Sequence, residues 1–315
     1  MKLVLFESQG SLKIRPGVLV EDNVADITHL IEPAYSAQIE MQTIIDQFDA
    51  LRKPIEAEIA RGVFVEEPFR LHPPLPRPGK ILGCIGNYWE HAQRDPRELN
   101  MFLKNSDAVV GPGDTIQLPL MTEPWIFMHE AELAIVIKGP AKNVAQENWK
   151  SAVFGYTCLI DVSARGKGRY TWKEGSWLGK SFDTFAPIGP CITTADEIPD
   201  PNNLIVRFWV DGQLRHNYST DDMEHRVPEL VAFATSIMTM NSGDVISCGT
   251  NHEGLGPIQD GESLAIEIGG IGRMTLDVND PLKRVWEKGI YMGEDSTNHD
   301  AVKRHRPFES KNLHT

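Results

Sequence analysis

The stretch FMHEAELAIVI, Phe127 to Ile137, decides how this chain is read. It is apolar and of strand character, yet Glu130 and Glu132 sit inside it two residues apart. In a strand, residues i and i+2 point to the same side, so the two acids project together, roughly 6–7 Å apart at the backbone. Ala134 and Val136 continue that face, while His129, Ala131, Leu133 and Ile135 line the other. Two adjacent buried carboxylates do not both ionise without a compensating cation. A second strand-like run, VFGYTCLIDVSARG (153–166), carries a third acid, Asp161, followed by Arg165. Three carboxylates converging from two strands would make a hard-oxygen site suited to Mg²⁺ or Mn²⁺, with the remaining positions left to water or substrate oxygens. The same residues also suit a solvated strand face, and Asp161 alone suits a strand-end cap. The residues by themselves leave both readings open.

The bulk of the sequence narrows the field. At 315 residues, with 41% hydrophobic and 24% charged residues, the chain is an ordinary globular one, long enough for a large domain and a smaller one. Thirty-one basic against 44 acidic residues give a net charge of −13, which argues against nucleic acid or an anionic membrane as partner. Cys84, Cys158, Cys191 and Cys248 are scattered in apolar surroundings with no CxxC pair, as expected of buried free thiols. Neither a basic-then-apolar leader nor an apolar run of about 18 residues is present, so the chain reads as cytosolic.

Along the chain, residues 1–75 alternate short strand patterns with a helical pattern over AQIEMQTIIDQFDALRKPIEAEIARG (37–62), which reads as a small α+β domain. LHPPLPRPGK (71–80), with its four prolines, marks a boundary. Residues 76–280 are strand-rich. Asp211-Gly212 lies between two alternating runs as a hairpin turn, and VPELVAFATSIMTM (227–240) reads as a helix with Pro228 in its first turn. Residues 281–315 are charged and apolar-poor, an arm or tail. No G-x-S-x-G elbow, phosphate loop or dinucleotide fingerprint occurs.

EAELAIVIKG, GYTCLIDVSARG, GKSFDTFAPIGPCITTADEI and MTMNSGDVISCGT, in this order and spacing, resemble the fumarylacetoacetate hydrolase family over about residues 80–280. The resemblance implies an α+β, mostly β fold: a mixed β-roll around a divalent ion, with a small N-terminal α+β domain, generally in a homodimer. It implies Glu130, Glu132 and Asp161 as metal ligands and Mg²⁺ or Mn²⁺ as cofactor. It also implies small 2-oxo or diketo acids as substrates, hydrolysed at a C–C bond as in acylpyruvates, decarboxylated, or tautomerised. All three reactions pass through an enolate, whose charge a dication stabilises. Lys180 (WLGKSFDTF) and Arg165 match family cations able to neutralise developing charge. Thr250 (SCGT) matches a threonine that holds the substrate carboxylate. Lys104, in MFLKNSDAVVGPGD, and Tyr88 fall at positions that would meet substrate, Lys104 at its far end.

The general base is where this sequence leaves the pattern. Hydrolytic members carry Y-x-x-H-x-x-E on a short helix, whereas this chain has NYWEHAQRDPREL (87–99), which fits at Tyr88 and His91 but has Arg94 in place of the acid. Asp95, at i+4 from His91, is the expected substitute carboxylate partner, which would hold the imidazole in a basic tautomer. Gly168 stands where many relatives have glutamine, and GTNHEGLGP places His252 and Glu253 directly after Thr250 as an alternative acid–base pair. The leading expectation is a metal-dependent hydrolase of an acylpyruvate such as fumarylpyruvate or maleylpyruvate. A decarboxylase or keto–enol isomerase of 2-oxo-dicarboxylates is the second, and a non-catalytic metal-stabilised binding protein the third.

Overall fold

A computed structural model of the chain describes residues 1–90, 92–120, 126–165 and 177–287. The N-terminal part consists of β1 (Lys2–Ser8), β2 (Arg15–Val20) and β3 (Asn23–Asp26), then α1 (Ala37–Asp46), α2 (Phe48–Arg61) and β4 (Phe69–His72). The helical pattern thus forms two helices rather than one. Gln47 breaks it outside helical geometry, Ser36 caps α1 by accepting from the Ile39 N–H, and Gly62 closes α2 in the left-handed region at φ 65°. Then follow β5 (Ile81–Cys84), β6 (Met101–Lys104), β7 (Val109–Val110), β8 (Thr115–Gln117), β9 (Ile126–Met128) and β10 (Ala131–Ile137). Next come β11 (Val153–Ile160), β12 (Ser163–Arg165) and β13 (Ala186–Thr194). The last elements are β14 (Ile205–Val210), β15 (Gln213–Ser219), α3 (Val227–Ile237), β16 (Val245–Ser247), β17 (Ser263–Ile268) and β18 (Gly272–Asn279).

Among the described residues these strands form open, mixed sheets. The main sheet runs β3-β2-β1-β13-β11-β10-β16-β5-β6, with β4 beside β1 and β7 beside β13. The N-terminal strands therefore join the same sheet as the central strand, through Lys2 opposite Thr193 and Leu3 opposite Ile192. A second sheet runs β15-β14-β17-β18-β8, and β9 and β12 form a separate two-stranded sheet. The Asp211-Gly212 turn joins β14 to β15 with φ of 47° and 74°, as the two-residue hairpin requires. Helix α3 begins at Val227-Pro228, with the Arg226 N–H donating to Glu229 at 2.8 Å.

β10 lies at the centre and is buried along its whole length. Its alternation sorts the two cores. Leu133, Ile135 and Ile137 join Phe208, Leu264 and Ile266 of the second sheet and Leu230 of α3. Ala134 and Val136 join Leu3, Leu5, Ile44 of α1 and Ile55 of α2. The run from Ile126 to Ile137 is not one continuous strand. It breaks at His129–Glu130 because its two halves take different partners: β9 pairs with β12, Met128 opposite Ser163, while β10 pairs with β11, Ala131 opposite Ile160. The partner breaks in register with it, at Asp161–Val162, and the Asp161 N–H donates to the Glu130 carbonyl at 2.8 Å across the joint.

The start of the C-terminal segment packs back on the domain: Arg284 Nε donates to Asp280 at 2.8 Å, and the Trp286 ring meets Phe127 edge-on at 5.8 Å. Residues 288–315 of the expected tail lie outside the described residues. Because Leu133 is fully buried where β10 meets the second sheet, Leu133→Ala is expected to cost about 2–5 kcal/mol in chemical denaturation.

Candidate active site

The site forms where both central strands leave the main sheet. Glu130 occupies the β9–β10 joint, Asp161 the β11–β12 joint, and Glu132 the start of β10 opposite Leu159. Their ligand oxygens lie within 4.8 Å of one another, and all three residues are buried. The acids expected to share one strand face do converge, although Glu130 sits at a break rather than within the strand.

The cations around them divide unequally. Lys180, in a short helical turn at Leu178–Lys180, donates to Glu130 Oε2 at 2.9 Å, to Ser163 Oγ at 2.7 Å and to Asp161. Arg165, at the end of β12, donates to Glu130 Oε1 at 2.6 Å, and Ser163 donates to the same oxygen at 2.8 Å. Burial alone would raise the Glu130 carboxyl, but the Lys180 and Arg165 cations outweigh it and hold Glu130 well below the usual carboxylate range. Lys180 is raised: burial works to lower it, and Asp161 and Glu130 prevail.

Glu132 has a different environment. Its Oε2 accepts from the Ser247 hydroxyl and, at 2.8 Å, from the Gly249 N–H, both neutral donors. Burial, then the charges of Asp161 and Glu130, push it up from 4.5 to about 8. Three buried hard oxygens, one of them destabilised as an anion by its neighbours, fit a dication well. Glu130, Glu132 and Asp161 would hold it.

Lys104 turns inward: it is buried at the end of β6, with its Nζ on Asp161 Oδ1 at 2.5 Å and on the Lys180 carbonyl. Burial lowers its pKa despite the favourable Asp161 charge. Thr250 Oγ1 donates to the Ala131 carbonyl at 3.0 Å, between the two glutamates, where Tyr218 also donates. Tyr88 is fully buried, its ring edge-on to Tyr218 at 5.1 Å.

The acid–base candidates rearrange most. His91 lies outside the described residues. Residues 92–100 are not helical and Asp95 is exposed, and the expected pairing of Asp95 with His91 lies outside the described residues. Pro96 opposes a helix here, because the residue before a proline is pushed toward extended backbone. Arg94, at the position of the family's acid, instead pairs with Glu224, NH1 to Oε2 at 3.1 Å. His252 does have a carboxylate partner, but it is Glu90 rather than Glu253: Nδ1 lies 2.5 Å from Glu90 Oε1, which also accepts the His252 N–H at 2.9 Å. Glu253 contributes its backbone carbonyl, which accepts from His216 Nδ1 at 2.8 Å. Ser163 and Ser247 lie within the stretches GYTCLIDVSARG and MTMNSGDVISCGT, but sequence reasoning does not single them out, and Glu90 lies outside the matched positions. Only the adjacency of Glu90 to His91 could have drawn notice.

Buried acids at two strand joints, ringed by cations and open to a dication, define a divalent-metal centre in a mostly β scaffold. Residues 80–279 match the fumarylacetoacetate hydrolase C-terminal family model. The chain belongs to the fumarylacetoacetate hydrolase family. It is similar to the maleylpyruvate hydrolase of Sphingobium sp. SYK-6, solved with manganese(II) and pyruvate, at 37% identity and TM-score 0.78 over 89% of this chain and 99% of that one. It is 33% identical over 285 residues to the maleylpyruvate hydrolase of Aquipseudomonas alcaligenes, covering 84% of this chain and 96% of that protein. A mitochondrial oxaloacetate tautomerase of Xenopus laevis is 35% identical over 264 residues, 79% of each chain. Among the described residues, no helix is long and apolar enough to cross a membrane.

The raised Glu132 carboxyl has a measurable consequence. Between pH 4.5 and about 8 the unfolded chain has released a proton that the metal-free fold keeps, so stability falls as pH rises through that window. Thermal melts of metal-free protein are expected to show this slope and Glu132→Gln to flatten it. Mn²⁺ is expected to raise the melting temperature of the wild type more at pH 8 than at pH 5.5, since binding requires the anion.

Proposed function

We propose that the chain hydrolyses a C–C bond of an acylpyruvate-type diketo acid, of the class that includes maleylpyruvate and fumarylpyruvate, as a homodimer dependent on Mg²⁺ or Mn²⁺. The observation that carries this reading is the trio Glu130, Glu132 and Asp161 within 4.8 Å of one another, with cations on two of its members. A divalent ion bound there supplies positive charge opposite the oxygens of a 2-oxo acid. Lys104, Lys180 and Arg165 balance the three acids, so a dication leaves the pocket with a positive surplus that attracts an anion.

The chain's own residues divide the remaining work. Lys180 and Arg165 keep Glu130 and Asp161 ionised and oppose charge that develops on the pyruvate fragment. Thr250, whose hydroxyl donates to the Ala131 carbonyl, presents its backbone N–H to the substrate carboxylate. Lys104 holds Asp161 in place, and Tyr88 walls the pocket against Tyr218. His91 and His252 are the groups proposed to move protons. The similarity to an enzyme solved with manganese(II) and pyruvate supports both the metal and the product fragment.

Arg94 favours a second reading. With arginine paired to Glu224 where a water-activating acid is expected, the pocket would suit decarboxylation or keto–enol isomerisation of a 2-oxo-dicarboxylate, which needs the enolate but no activated water. The similarity to an oxaloacetate tautomerase is consistent with it. Incubation with a panel of diketo acids and Mn²⁺ separates the two. Pyruvate release, lost by at least about 10³-fold in Glu132→Ala, is the expected result. Carbon dioxide release, or proton exchange at C3 without cleavage, would select the second reading.

A further inference from the structure

Two loops meet above the acids, and each is fixed by several contacts. The loop after β16 passes Gly249, whose N–H is on Glu132, and Thr250, which is on Ala131, before reaching His252. Asn251 Nδ2 donates to Asp222 Oδ2 at 2.9 Å, the Glu253 N–H donates back to Asn251 Oδ1 at 2.8 Å, and His216 grips the Glu253 carbonyl. His216 uses Nδ1–H for that bond, so its Nε2 is the acceptor for His129 Nδ1, 3.0 Å away in the buried core. The loop after β5 is fixed from the same segment. Asn87 Nδ2 donates to the carbonyls of His225 and Cys248, the Trp89 N–H donates to the Asp222 carbonyl, and the Glu90 N–H donates to Asp222 Oδ2 at 3.1 Å. Asp222 Oδ2 thus ties Glu90 and Asn251 to one point.

Glu90 itself is held at φ 51°, in the left-handed region that an L side chain occupies at a cost on the order of 1 kcal/mol. Strain of this kind persists only where surrounding structure over-determines it, and it concentrates at functional sites. Here it aims the Glu90 carboxylate at His252 Nδ1, 2.5 Å away. Both side chains are about one-fifth exposed, within reach of a ligand but shielded from bulk solvent. Although burial works to raise Glu90, the neighbouring His252 holds it at about 2, so the carboxylate stays anionic at any working pH.

We propose that Glu90 and His252 form the proton-transfer pair of this enzyme, with Glu90 the positioning residue that fixes His252 as its Nδ1–H tautomer and leaves Nε2 free for substrate. This inference rests on the hydrolytic reading above and names the base that the Arg94 substitution left open. In that reaction Nε2 accepts a proton from water as the water oxygen bonds to the distal carbonyl carbon. The C–C bond then breaks, its electron pair passing into the pyruvate fragment as the enolate, and the distal group leaves as a carboxylic acid. The imidazolium returns its proton to C3, giving pyruvate, and the acid releases its own proton to solvent. Glu90 keeps its charge throughout.

A double-mutant cycle on the full-length, Mn²⁺-loaded enzyme tests the pair. Glu90→Gln is expected to lower kcat by about 10²-fold with KM changed less than about threefold, and His252→Ala by about 10²–10³-fold. In the His252→Ala background, Glu90→Gln should cost nothing further, because it acts only through the imidazole. Imidazole ¹⁵N spectra of metal-loaded protein should show His252 as one tautomer in the wild type and as a mixture in Glu90→Gln. The Mn²⁺-induced rise in melting temperature, unchanged in both variants, confirms that the fold survives. Additive losses, an unaltered kcat in Glu90→Gln, or an unchanged tautomer would each overturn the proposal. If the wild type releases no pyruvate from any diketo acid, the hydrolytic reading fails. The pair is then judged by the same cycle on C3 proton exchange, and additivity there overturns it too.

Discussion

The structure depends on compensating the charge of three carboxylates buried at the seam of two strands. Removing an ionised carboxylate from water costs several kcal/mol unless a cation or a set of donors replaces the lost hydration. The three acids meet this cost in different ways. Among the described residues, Glu130 has Arg165, Lys180 and Ser163; Asp161 has Lys104 and Lys180; Glu132 has only the Ser247 hydroxyl and the Gly249 N–H. That inequality leaves one acid inclined to hold a proton, and a dication is the partner that would let all three ionise together.

The fold places these residues by making both central strands change sheets at the same level. A continuous strand pair would have kept Glu130 and Asp161 in regular ladder positions, their side chains spaced by the pleat. The joints turn them inward instead, and the Asp161 N–H to Glu130 carbonyl bond keeps the breaks in register. On either side β10 is clamped by a separate core, the N-terminal helices on one face and the second sheet on the other. The three acids therefore sit at joints and strand positions of the central strands, whereas the residues proposed for proton transfer sit on two loops fixed through Asp222. The proposed ion site and the proposed proton-transfer pair are thus held by different parts of the fold.

The fold was legible from the sequence where the pattern was regular. The strand over 131–137, the Asp211-Gly212 turn and the α3 helix all follow from local periodicity or turn chemistry. The division of residues 37–61 into two helices and of 126–137 into two strands was not legible, because both depend on which partner each half finds. The same limit applies to the site. Glu130, Glu132, Asp161, Lys180 and Arg165 lie in long motifs, and the structure brings them together. That Lys104 turns inward onto Asp161 was not legible, because sequence cannot tell a lysine at a sheet edge from one turned inward onto an acid. The i+4 spacing of Asp95 presumes a helix, which Pro96 opposes and residues 92–100 do not form. Glu90 was passed over because its partner, His252, lies 162 residues away in sequence and only the folded loops join them.

The most direct test of the central claim is a crystal structure of the full chain grown with Mn²⁺, with data collected at the manganese absorption edge. The account predicts one strong anomalous peak bonded to a carboxylate oxygen from each of Glu130, Glu132 and Asp161, with Lys180 still beside Glu130. An empty position there at saturating Mn²⁺, or a peak held by other residues while those three side chains keep their present bonds, would contradict it.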